Sequence, residues 1–136
     1  MSAAYKVTYY LLTHHSAFNT ATGGRIYANA AKQGVGYPLC VISGVGRVEA
    51  PTQDADSAID THRIQIDLFA DDLGVTSGIA KLTTLSAYVR EALARITGTI
   101  DGVLVNGIQS AGERDDYDRE LQVHRKILDF QIRLTI

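Results

Sequence analysis

The sequence has a single cysteine, no long apolar run, no excess of positive charge and no internal repeat or low-complexity segment, and each shortage narrows what the chain can be. Cys40 cannot close an intrachain disulfide by itself. Its setting, Leu39-Cys40-Val41-Ile42, reads as a small buried hydrophobe, because a reactive thiol needs an electropositive neighbourhood that these residues do not supply. No segment approaches the ~20 consecutive apolar residues of a membrane span. Met1-Ser2-Ala3-Ala4-Tyr5-Lys6 lacks the basic stretch and apolar run of a signal peptide. These absences predict a protein that stays in the cytoplasm where it is made. With 13 basic and 15 acidic side chains the formal net charge is −2, which excludes strong counterion-release binding to nucleic acid as the default.

What the sequence does contain is one strand and one helix in direct succession. His62 to Ala70 alternates, with Ile64, Ile66 and Leu68 on one side and Arg63, Gln65, Asp67 and Phe69 on the other, the period of a half-buried strand. After Asp71, Asp72 and Gly74, Ser77 is placed to cap a helix in which Ile79, Leu82, Leu85, Val89, Leu93 and Ile96 recur at helical spacing, closed by Gly98. A strand with one apolar face followed by a helix with one apolar stripe is a packing unit. The other strands must complete the layer beneath it.

The spacing of Tyr5, Thr8, Leu11, Leu12 and Phe18 predicts a first amphipathic helix from Ala4 to about Phe18, then a turn cluster over 19–24 and a short edge strand at Arg25-Ile26-Tyr27. Lys32 to Pro38 reads as a flexible lead into a strand from Leu39 to Val48, in which Gly44 and Gly46 suggest a bulge. Glu49 to Asp60 carries four carboxylates and no base, and reads as a solvated loop between two antiparallel strands. Ile100-Asp101-Gly102 turns the chain into a strand over Val103 to Ile108. Gln109 to Glu120 is charged and turn-rich, a second solvated loop. The last strand is the cleanest, with Leu128, Phe130, Ile132, Leu134 and Ile136 facing one way. Together these predict an α+β fold: one layer of mostly antiparallel sheet with two main helices packed on one face, in a single domain over 1–136 that buries roughly 70 % of its unfolded surface.

Tests for chemistry find no enzyme. His14-His15 cannot both face one ion from a helix, because adjacent side chains diverge by about 100°. His62 and His124 read as ordinary strand-end residues. Asp54-x-Asp56 begins like a calcium loop, but Ile59 stands where the sharp-turn glycine belongs and Gln65 where a bidentate glutamate belongs. Gly44-Val45-Gly46 begins like a dinucleotide loop, but Glu49 replaces the third glycine and no helix follows. Asp115, Asp116 and Asp118 around Tyr117 are a conceivable acid and base, yet Arg114 and Arg119 interleave them and no apolar neighbours are present to shift a pKa. No cofactor and no metal are expected.

The order of elements resembles the tail-completion, or tail-terminator, family of long-tailed bacteriophages and related prophage particles, whose members are similar to the tail terminator of phage lambda. The resemblance rests on Arg25-Ile26-Tyr27, on Tyr37 to Gly44, on Arg63 to Ala70 with its helix, on Glu113 to Asp118 and on Val123 to Ile132. The chain departs from the family pattern at Asn29-Ala30-Ala31-Lys32-Gln33, where an Ala-Pro-like element is usual. The resemblance implies a structural subunit of the virion tail, assembled in the host bacterial cytoplasm. It implies a homohexameric ring at the head-proximal end that caps the tail tube, stops its polymerisation and meets the head connector, with DNA passing through without specific binding. On that reading Glu49, Asp54, Asp56 and Asp60 in the first loop, and Glu113, Arg114, Asp115, Asp116, Tyr117, Asp118 and Arg119 in the second, are the expected contacts to subunit, tube or connector. Carboxylates facing the channel would repel DNA phosphates. The competing readings are a head-side neck protein of the same particle and a small α+β enzyme or ligand-binding domain using Asp115 to Asp118.

Overall fold

The computed structural model describes residues 2–31, 34–49 and 59–135. The acidic stretch with Asp54 and Asp56, together with Lys32, Gln33 and Ile136, lies outside the described residues. The predicted first helix is two helices, α1 (Ala3–Thr13) and α2 (Ser16–Thr22). The histidine pair makes the break. His14 caps the end of α1, while His15 takes an extended backbone conformation and its Nδ1 accepts from the Phe18 N–H at 3.1 Å, acting as the N-cap of α2. Asn19 to Thr22, predicted as turn, are therefore helical, and the turn begins at Gly23, whose φ of 61° is the left-handed cap that a Cβ would oppose.

The strands are β1 (Ile26–Ala28), β2 (Leu39–Glu49), β3 (Ile59–Asp71), β4 (Gly98–Ile100), β5 (Val103–Asp118) and β6 (Val123–Thr135), with α3 (Gly78–Leu93) between β3 and β4. They form one sheet in the order β1-β2-β3-β6-β5-β4, antiparallel throughout except for the β1–β2 pair. The alternation read from His62 to Ala70 sits within β3, where Ile64, Ile66, Leu68 and Ala70 are buried. His62 is inside this strand, not at its end. The bulge foreseen in β2 falls between Gly44 and Gly46.

Ser77 caps α3 by accepting from the Ala80 N–H at 3.2 Å. Leu82, Leu85, Val89 and Leu93 bury their stripe against β3 and β6, whereas Ile79 stays 65 % exposed. The helix stops earlier than Gly98: Ala94 leaves helical geometry with ψ at 135° and Arg95 takes a positive φ of 56°, so Gly98 opens β4 instead. Asp101 and Gly102, with φ of 47° and 81°, make the two-residue turn whose twist suits a tight hairpin from β4 to β5. The three helices pack on one face of the sheet. Phe18, Leu12 and Val7 from α1 and α2 meet Leu85 and Val89 of α3 and the even-numbered residues Leu128 to Leu134 of β6 in one apolar cluster. Each such large side chain taken fully out of water contributes about 1.5–3 kcal/mol.

The largest departure from the sequence reading is β5. Gln109 to Asp118, expected as a solvated loop, continues the strand and pairs with β6 as far as Asp118 opposite Val123. Two irregularities, at Asn106 and Ala111, each insert an extra residue and reverse the alternation. Gly112, just past the second, has a φ of 126° that strongly favours glycine.

Candidate assembly interface

The pairing with β6 fixes which way each side chain of β5 faces. Glu113, Asp115 and Tyr117 lie opposite Leu128, Lys126 and His124 on the helix side, while Arg114 and Asp116 lie opposite Ile127 and Arg125 on the other. The acidic run is tied down. Glu113 is bridged by Arg90 of α3 at 2.7 Å and by Lys126 at 3.6 Å, and Asp115 meets Lys126 at 3.0 Å. Asp116 accepts from the Tyr117 N–H at 2.8 Å, and Asp118 accepts from the N–H groups of Glu120 and Leu121, closing the β5–β6 turn. These carboxylates are hairpin and turn residues, not free charges in a loop.

Between the first half of α3 and the end of β5 runs an open groove of about 660 Å³, with Ile79, Leu82 and Thr83 on one wall and Asp115, Tyr117, His124 and Lys126 on the floor. His124, read from the sequence as an ordinary strand-end residue, stands near the start of β6 and does more than end a strand. Its Nε2 lies 3.0 Å from Asp72 Oδ2, its ring packs against Tyr117 at 4.7 Å between centroids, and a methyl group at Gly78 would collide with its Cδ2. Asp72 in turn accepts from the Gly78 N–H at 2.7 Å. That backbone hydrogen bond first, and the His124 contact second, hold the Asp72 carboxyl below the usual carboxylate range. Lys81 fastens the same turn by donating to Leu73 O, Asp71 O and Asp71 Oδ1. A turn so pinned displays Leu73 and Val75, with Ile79 beyond it and Leu121 at the hairpin tip, as exposed apolar side chains amid charges, the make-up of an interaction surface.

Edges matter as much as faces here. β4 covers only Val103 to Val105 of β5, so the outer side of β5 from Asn106 to Asp118 has no neighbouring strand among the described residues. At the opposite side of the sheet β1 pairs with Cys40 to Ile42 of β2, and from Ser43 onward the outer side of β2 has no neighbouring strand among the described residues. Rows of unpaired backbone N–H and C=O groups are templates for another strand.

The first predicted loop fares differently. Glu49 ends β2 opposite Asp60 in register, and Asp60, expected in solvent, is 4 % exposed inside β3 with its Oδ2 3.9 Å from His62 Nε2. Glu49 and Asp60 thus close a strand ladder, while Glu113 to Arg119 lie at the far end of the neighbouring hairpin, so these two described ends of the first stretch are not brought to the second. Among the described residues no group of three His, Cys, Asp or Glu side chains is placed to hold a metal ion. Cys40 is wholly buried, and that burial first, with the Asp67 charge second, pushes its thiol far above its ordinary pKa, which removes it as a nucleophile.

A family model described as "Tail completion protein gp17" matches residues 8–135 of this chain. The chain belongs to that tail completion family. The match reaches back through α2 and into α1, beyond the stretch from Arg25 on which the resemblance rested. No curated protein matches the sequence. Among solved structures, one similar chain comes from the "Virion of native gene transfer agent (GTA) particle", 19 % identical over 93 % of this chain and 90 % of that one, with a TM-score of 0.70, a likeness of fold. This tail completion protein is a structural, non-catalytic component of a tailed-phage type of particle, associated with the tail and the head–tail joining machinery.

Proposed function

We propose that this tail completion protein is a tail terminator: each subunit a single domain, joined to its neighbours in a six-fold ring that caps the finished tube at its head-proximal end and meets the connector. The observation that supports the ring is the pair of open sheet edges. β2 is antiparallel to β3, β3 to β6 and β6 to β5, so β2 and β5 of one subunit run in opposite directions. A rotation about an axis along the strands therefore sets the open half of one subunit's β5 against the open half of the next subunit's β2 in antiparallel register. The contact is heterologous, as a cyclic ring requires, and it covers the open stretches of β2 and β5. The helices, which add bulk to one face only, take the outer circumference. In that arrangement Asn106 to Gly112 lie level with Ser43 to Glu49, while Glu113 to Arg119 lie level with β1, where mixed charge sets register and rejects wrong partners.

A neck protein on the head side would share this symmetry but not the arrest of tube growth. Removing the protein during assembly separates the two. In a terminator's absence electron microscopy shows tails well beyond normal length, and tails of normal length left unjoined to heads would overturn the terminator reading.

A further inference from the structure

Among the described residues the helix-free face of the sheet is covered at one end, where Asn29 to Ala31, Tyr37 and Leu121 surround Leu39, Val41 and Phe69. Arg125 belongs to that covered end, ion-paired to Asp67 at 2.7 Å. At the other end the described residues of this face are polar and leave it uncovered. Arg63 lies opposite Gln131 and Thr61 opposite Arg133, so both guanidiniums stand on this face, diagonal across one ladder and about 7–8 Å apart at the backbone. Gln109 extends the row onto β5 opposite Gln131.

Both arginines are exposed, and neither has an ion-pair or hydrogen-bond partner among the described residues. This sets them apart from the cations of the helix side, where Arg90 and Lys126 are held by Glu113 and Lys81 by Asp71. Among the described residues the nearest carboxylate on the face is Asp129, diagonal to Arg63 on the side away from Arg133, and it bounds the cationic stretch there.

We propose that this face, with Arg63 and Arg133 as its charged groups, contacts the phosphate backbone of duplex DNA. Two unpaired guanidiniums flanked by glutamine donors, with no exposed apolar side chain between them, match phosphate oxygens and offer nothing that reads base edges. The placement of DNA against it rests on the ring reading, in which the helix-free face is the inner one. On this proposal arginines on the channel wall meet the phosphates, in contrast to the carboxylate repulsion that the resemblance implied. Weak, sequence-independent contacts spread over several subunits hold a duplex centred while letting it slide.

The test is fluorescence anisotropy of a labelled duplex of about 30 base pairs with the full chain, from about 20 to 200 mM salt. Light scattering on the same samples reads ring formation separately. Binding at low salt should fall at least about tenfold in R63Q/R133Q, with a shallower salt slope. It should survive in R63K/R133K, which keeps the charges, and in K6Q/R95Q, which removes the same charge from exposed positions elsewhere. No binding by the unaltered protein, or equal loss in K6Q/R95Q, overturns the assignment even where the ring forms. Retained binding by a protein that never forms a ring would instead count against the ring.

Discussion

Phe18→Ala should lower the unfolding free energy by about 3–5 kcal/mol, read as a shift in the urea midpoint with an unchanged slope. The side chain is fully buried although it stands on α2, a helix of seven residues that is too short to persist alone. What holds α2 in place is the His15 cap at its start, the Gly23 turn at its end and this one ring inserted into the cluster between α1 and α3. Truncation leaves a cavity that two short, separately capped helices cannot close without losing their caps. A loss below about 1 kcal/mol would mean that α2 contributes little to the core and that its placement over the sheet is wrong.

Gly78→Ala should destabilise by about 1–3 kcal/mol, against the gain of up to about 1 kcal/mol that replacing glycine in a helix ordinarily brings. Two backbone carbonyls, Ala70 O and Asp71 O, lie 3.1 Å from the added methyl position, and the His124 ring lies closer still. The ring cannot retreat without giving up Asp72, which also holds the Gly78 N–H. The effect should be non-additive with His124→Ala, because removing the ring relieves the worst of the contact. Thermal unfolding of both single variants and the double variant measures this; a stabilised Gly78→Ala protein would show that strand β6 and helix α3 do not approach as described.

Legibility followed the period of the apolar residues. β3, α3 and β6 were readable because each buries one face only and so keeps a clean repeat, as in Ile64, Ile66, Leu68 and in Leu128, Phe130, Ile132, Leu134. β5 was not, for two physical reasons: the insertions at Asn106 and Ala111 reverse its alternation twice, and beyond Ile108 no helix covers it, so its residues are charged although its backbone is fully paired on one side. The helix break at His14-His15 was hidden because histidine is a rare cap and the apolar spacing runs on through it to Phe18. For the candidate interface, the sequence located the charged residues from Glu113 to Arg119 but not their partners. Arg90, Lys126 and His124 come to them across the sheet and from α3, and no local spacing announces a contact of that kind. The open edges were likewise invisible, since an edge is defined by which strands fail to arrive. Asp60, taken for a loop residue, is buried by its place in a ladder that begins before the apolar alternation does.

A ring closed by strand edges has a mass that the purified protein must show in solution, measured across a concentration series. Light scattering after size exclusion should show six copies of the 14.7 kDa chain, about 88 kDa, or a smaller species rising towards that mass with concentration. A compact dimer that stays fixed over the whole series would contradict the ring.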